Sequence, residues 1–294
     1  MGTLIAMKYP TKMMLELADH TYVQCGTGQK SWGCWGGKTG GDAFNQGTGS
    51  TRRADAIAGQ DEKAGITCYL VNGVCHQAAN RILSPANILV AKARGYGVSS
   101  LMFSAYGKVR FWPCHAPFHR HTDIHGDLTA CQPQDEKLTG WAAPGNTKAM
   151  QRYLKSVKNA YRRFSEKEAG LVDNMAFNLS LFRHELQLRL GNDSPQELKG
   201  LLQAKEAQEV RHAELFERGN NKGKTMNTTD AADMVREFNA LTLEFQDDLA
   251  NCLSETRYQK LVLLKRDERI RLADPDIICR LYGDDVVDKV YGQI

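Results

Sequence analysis

The sequence predicts an α+β N-terminal half followed by an α-helical bundle. Before about residue 145 the apolar runs are short, rich in β-branched and aromatic residues, and punctuated by glycine. After it, apolar residues recur at spacings of three and four. Composition shifts at the same place: all four Trp and six of the eight Cys precede it. With 294 residues, two units are expected. The break falls at "APGN" (143–146), giving residues 1–145 and 146–294.

In the first half, "HTYVQCG" and "GITCYLV" have the composition of strands. "SSLMFSAYG" and "KVRFW" suggest a hairpin about Gly107. A helical stretch from Cys75 to about Arg94 lies between, with a break at Ser84-Pro85. In the second half, Met150, Leu154, Val157, Tyr161 and Phe164 form one apolar stripe. Val172, Met175, Leu179, Phe182 and Leu186 form the next. "SPQE" (194–197) opens another helix, with Ser194 as N-cap, Pro195 at the first position and Glu197 at the third. A further helix from about Thr229 carries Met234, Phe238, Leu241, Phe245, Leu249 and Cys252 on one face, and shorter helices follow to Tyr282. Such stripes build a bundle core. A seam for an oligomer or a protein partner is compatible with the same pattern.

Composition narrows the function classes. A hydrophobic share of 42% is enough for a buried core, and a net charge of +4 without clustered Lys/Arg argues against a nucleic-acid partner. No apolar run reaches the roughly 18 residues of a membrane span. The first twenty residues lack a basic n-region and a sustained apolar h-region. The expectation is a cytoplasmic protein, or one exported without a Sec signal. Eight cysteines in such a chain are expected to be reduced thiols.

Two motifs suggest chemistry and then fail on spacing. Gly37-Lys38-Thr39 matches the end of a phosphate-binding loop, but the required upstream glycine position holds Trp32. The glycine- and Trp-bearing loop 33–41 is better placed as a flap over a substrate. "CHAPFHRHTDIHGDLTAC" (114–131) gathers His115, His119, His121 and His125 between Cys114 and Cys131, donor types that zinc prefers. Its spacing fits no common ligand set, so a metal-binding protein or metalloenzyme built on it is the alternative function. No cofactor is otherwise implied.

The third constellation is "VNGVCHQAANRIL" (71–83). A thiol at the start of a helix is stabilised as thiolate by the helix N-terminus, and an imidazole from elsewhere completes its activation. Cys75 is the candidate nucleophile. His20, which opens a strand, is the candidate base, with His115, His119 or His121 as the choices if the base follows the nucleophile. His76 adjoins Cys75, but successive helical residues do not face each other, so it is expected to face substrate or solvent. The plain alternative for Cys75 is a buried structural thiol.

The segments "HTYVQCGTGQKSWGCWGG" and "CYLVNGVCHQAANRIL" resemble the circularly permuted NlpC/P60-like group of papain-fold enzymes, which includes lecithin:retinol acyltransferase-like proteins and bacterial amidases. The matching positions are His20, Trp32, Trp35, Tyr69, Leu70, Asn72 and Cys75, over about residues 15 to 105. The resemblance implies a papain-like domain with a small antiparallel sheet, a Cys75 nucleophile and a His20 base. It implies a hydrolase or acyltransferase acting on an amide, ester or thioester bond of a peptide, lipid or protein substrate. It supplies no third polar residue; Gln24 is badly placed for that role.

Overall fold

A computed structural model describes residues 1–11, 17–33, 36–64, 69–71, 73–107, 171–191, 194–222 and 226–292. The 114–131 cluster, the "APGN" boundary, the "KVRFW" strand and the stripe from Met150 to Phe164 lie outside these residues. So do Cys34, Trp35 and Asn72.

Four strands form one antiparallel sheet in the order β3-β2-β1-β4. They are β1 (Gly2–Pro10), β2 (Asp19–Cys25), β3 (Ser31–Gly33) and β4 (Asp42–Gly49). Central β2 pairs with β1 through His20↔Tyr9 and with β3 through Val23↔Trp32. Lying between two strands, β2 is buried along Asp19–Val23 rather than on one face alone. Two strands escape sequence pattern. β1 (GTLIAMKYP) shows no strict alternation of apolar and polar residues, and β4 carries the polar, glycine-rich sequence DAFNQGTG.

Helices α1 (Thr51–Ala64) and α2 (Cys75–Leu83) cover the sheet. Every residue of α2 is buried. It ends where expected: Pro85 cannot continue the hydrogen-bond ladder, and a 3-10 turn (Ser84–Ala86) closes on left-handed Asn87. The helix does not resume toward Arg94. Two strand expectations are corrected. "GITCYLV" contributes no strand among its described residues: Tyr69 makes an isolated bridge to Gly73, and Leu70 turns with φ 63°. "SSLMFSAYG" belongs to helix α3 (Tyr96–Phe103) and the turn after it, not to a hairpin. Helix α3 is buried on all sides, and a uniformly apolar run carries no period to separate helix from strand.

The second half supplies α4 (Leu171–Leu190), α5 (Pro195–Lys222), α6 (Thr228–Cys252), α7 (Glu255–Val262), α8 (Pro275–Tyr282) and α9 (Asp285–Tyr291). The α6 stripe is buried from Met234 to Leu249, and Ser194 Oγ accepts from Glu197 N at 3.2 Å to start α5. Among the described residues no helix is long and apolar enough to cross a membrane.

Residues of both halves pack into a shared hydrophobic cluster. Leu70, Val74 and Val98 pack in the same cluster as Phe182, Phe238 and Ile277. Gly97 sits so close to the end of α7 that a Cβ there would lie 1.7 Å from Val262 O. Backbone pairing also crosses: Ala18 N donates to Arg271 O at 3.2 Å, so residues 271–274 run alongside the approach to β2. That seam positions the site.

Candidate active site

His20 and Cys75 come together, and a third residue joins them. The Cys75 sulfur, a ring nitrogen of His20 and a carboxylate oxygen of Asp274 all lie within 4.8 Å of one another. Their exposures are 2%, 0% and 4%, so these groups interact in a medium where charge is weakly screened.

Cys75 is the first residue of α2. A tight turn delivers it: Leu70 N donates to Gly73 O at 2.9 Å, and the chain then enters the helix from extended Val74. Valine has no side-chain acceptor to cap a helix. The capping contact comes from inside the first turn, where Gln77 Oε1 accepts from Val74 N at 3.1 Å. The sulfur therefore lies at the positive end of the helix dipole, which favours the thiolate. It also lies 3.7 Å from the carbonyl oxygen of Asp19.

His20 stands on β2 with both ring nitrogens engaged. Nδ1 is 2.6 Å from Asp274 Oδ2, and Nε2 is 3.0 Å from the carbonyl oxygen of Gly37. Both partners are acceptors, so satisfying both requires a ring that carries two protons. Burial alone pulls the imidazole pKa down, but the Asp274 carboxylate and Cys75 together outweigh it and hold the value up at about 10. An imidazolium beside a thiol at a helix start is the arrangement that makes a thiolate.

Asp274 is the N-cap of α8, and its two oxygens divide the work. Oδ1 accepts from Asp276 N at 2.9 Å, while Oδ2 faces His20. Its backbone N donates to Tyr69 OH at 2.6 Å. The sequence does carry a local signal, since Asp274-Pro275 is a helix-start pair. Nothing local says that this cap meets a histidine 254 residues earlier. Gln24, by contrast, pairs with Ser31 at the far end of β2.

The glycine loop lies against the imidazole. Tyr9 stacks on one side of the ring, with centroids 4.8 Å apart. Gly36 approaches so closely that a Cβ would fall 2.2 Å from His20 Cε1. Gly37 N donates to Asp276 Oδ2 at 2.8 Å, and Gly40 O accepts from Tyr22 OH at 2.5 Å. The described part of the loop is thus tied to α8 and covers His20. Trp32, on β3 just before the loop, is buried, and its Nε1 donates to Asp55 Oδ1 at 2.9 Å. Gly36→Ala is expected to push the ring out of line and lower turnover by about 100-fold, a scale typical of small misplacements at a reacting centre. Steady-state kinetics with a melting curve on the same protein checks this; unchanged turnover in a folded variant would show that the glycine is dispensable.

His76 departs from expectation. It faces neither substrate nor solvent but is fully buried, with Nε2 3.0 Å from Asp19 O and Nδ1 2.8 Å from Ser99 Oγ. Burial pushes its pKa down to about 4, so the ring is neutral at ordinary pH.

The same three donors, His20, Cys75 and Asp274, are also of metal-ligand type. In the conformation described, the His20–Asp274 pair shares a hydrogen bond rather than an ion. Ligands about 2.0–2.2 Å from a tetrahedral zinc stand well over 3 Å apart, whereas Nδ1 and Oδ2 are at hydrogen-bonding distance. The chain matches no family model, no curated protein and no solved structure.

Proposed function

We propose that the protein is a cysteine-dependent hydrolase or acyltransferase of permuted papain-like organisation, with Cys75 as nucleophile, His20 as acid and base, and Asp274 as the residue that orients and charges His20. The observation that carries this is the convergence of a helix-start cysteine, a doubly hydrogen-bonded histidine and a buried carboxylate from three distant parts of the chain. His20 preceding Cys75 is the order of the permuted group rather than of papain itself; the carboxylate of Asp274, after the cysteine, lies outside the segment that carries the resemblance.

The chemistry follows from the charges. The Cys75 thiolate attacks the carbonyl carbon of an amide, ester or thioester. Charge developing on the carbonyl oxygen is met by the N-terminus of α2. The His20 imidazolium gives its proton to the departing nitrogen, oxygen or sulfur as that bond breaks, leaving a Cys75 thioester and a neutral imidazole. His20 then takes a proton from water or from an acceptor nucleophile, which attacks the thioester and returns Cys75 as thiolate. Water makes the enzyme a hydrolase and another acceptor makes it a transferase. In the conformation described the sulfur is enclosed, so substrate entry requires a covering segment to part. The stretch from Gly36 to Gly41 is the described segment that lies on His20. Acyl groups from peptides, lipids or proteins fit this chemistry equally.

The test uses p-nitrophenyl acetate as the acyl donor. Wild type is expected to give a burst of nitrophenol and an acetyl group on Cys75, located by peptide mass spectrometry. Cys75→Ser and His20→Ala are each expected to lose turnover by about 10³-fold or more, on the scale of other nucleophile–base units. Full turnover by Cys75→Ser would overturn the nucleophile assignment.

A further inference from the structure

We propose that His76 is a positioning residue for the Cys75–His20 pair: an imidazole that bolts the nucleophile's helix to the base's strand and competes with the thiol for the Asp19 carbonyl. This rests on the hydrolase or transferase assignment above.

The geometry is specific. His76 follows the nucleophile on α2, and Asp19 precedes the base on β2. His76 Nε2 and the Cys75 sulfur both address one atom, the carbonyl oxygen of Asp19, at 3.0 and 3.7 Å. That oxygen is an acceptor, so the Nε2 nitrogen carries the proton and donates. Nδ1 is then the acceptor and meets the hydroxyl of Ser99 at 2.8 Å. Ser99 lies on α3, and Gln77, which caps α2, donates to the same hydroxyl at 3.3 Å and to Ser104 O at 3.1 Å. One tautomer of one ring therefore links β2, α2 and α3 behind the reacting sulfur.

Asp19 itself is held in place. Its N donates to Arg94 O at 3.0 Å, its Oδ2 accepts from Arg94 N at 2.8 Å, and Lys8 Nζ lies 3.1 Å from the same oxygen. The carbonyl is thus a fixed point within reach of the sulfur. A thiol donating to it would be stabilised in the neutral form, which raises a thiol pKa. The oxygen can accept two hydrogen bonds, and the shorter Nε2–H contact leaves the thiol only the longer one at 3.7 Å, a weaker hold on the Cys75 proton than the carbonyl would have alone. Full burial keeps His76 neutral, so it adds no positive charge to compete with His20 for Asp274. Among the described residues, the titratable groups about this site are His20 and Asp19 on β2 with Lys8 and Tyr9 on β1, Asp274 before α8 with Tyr69, and His76 itself.

The test reads the Cys75 thiolate directly. Its absorbance near 240 nm is followed against pH as the difference between each protein and the same protein carrying Cys75→Ser. Wild type is expected to show a thiolate well below the usual thiol range of about 8.5. His76→Leu is expected to raise that midpoint by about one unit or more and to lower kcat while leaving KM near its wild-type value. His76→Gln, whose amide Nε2 can still donate to Asp19 O, is expected to restore most of both. A folded His76→Leu with an unshifted midpoint overturns the proposal. If that variant does not fold, Ser99→Ala decides: loss of the hydroxyl that fixes the tautomer should move the midpoint in the same direction, and no shift overturns it. A wild-type Cys75 that titrates like an ordinary thiol fails differently, because it removes the nucleophile assignment and this inference with it.

Discussion

Asp274→Asn is expected to lower kcat by about 10²- to 10⁴-fold, the range that correct acid–base participation contributes. The substitution separates two roles of one side chain. Asparagine caps a helix about as well as aspartate, so the Oδ1 contact to Asp276 N that starts α8 is kept. What is lost is the negative charge 2.6 Å from His20 Nδ1. Without it burial dominates and the imidazole pKa falls from its position near 10. A neutral ring cannot protonate a leaving group, so the acid step fails first.

The same change predicts a pH signature in stability. His20 is raised from 6.5 unfolded to about 10 folded. Its bond to Asp274 therefore contributes fully below about pH 6.5 and fades as pH rises through about 10. The gap in unfolding free energy between wild type and Asp274→Asn should narrow over that window. Urea denaturation at its two ends measures the gap. A constant gap would mean that His20 does not carry the charge.

Lys205→Met is expected to destabilise the fold by about 3–5 kcal/mol, the scale for stranding one partner of a buried ion pair. Lys205 is 2% exposed on α5. Its Nζ donates to Met102 O and Gln208 Oε1, each at 2.8 Å, and pairs with Glu209 Oε1 at 2.6 Å. The Phe182 and Phe245 rings lie 5.8 and 5.7 Å from it. Removing the ammonium leaves the Glu209 carboxylate, already bonded to Asn178 Nδ2, buried without its cation. Adding Glu209→Met should recover most of the loss, because an apolar pair of similar volume avoids the desolvation cost. Denaturant midpoints of the single and double variants check this. A single-variant loss under about 1 kcal/mol would contradict it.

How much of this could be read from the chain depends on range. Cys75 at a helix start follows from local signals: a glycine turn before it and helical composition after it. His20 on a strand follows from "HTYVQC". The α6 stripe reads cleanly because its 3.6-residue period persists through Leu249. The misses share one cause, tertiary context overriding local pattern. Helix α3 looked like a strand because burial on every side erases the period. His76 looked available because its partners, Asp19 O and Ser99, are 57 and 23 residues away. Asp274 was hidden for the same reason. Its cap signature is local, but its meeting with His20 depends on the Ala18–Arg271 pairing, which no short motif encodes. Composition marks the glycine loop as a covering segment, but not its partners: its glycines let backbone touch His20 and Asp276.

The central claim is that His20, held between Asp274 and Gly37, is a charged imidazolium beside Cys75. An NMR titration of ¹⁵N-histidine-labelled protein, with His20 assigned by its loss in His20→Gln, measures this without a substrate. The predicted result is a His20 ring bearing protons on both nitrogens at neutral pH and releasing one only toward about 10. A His20 ring that is neutral at pH 7 and titrates at or below about 6.5 would contradict the account.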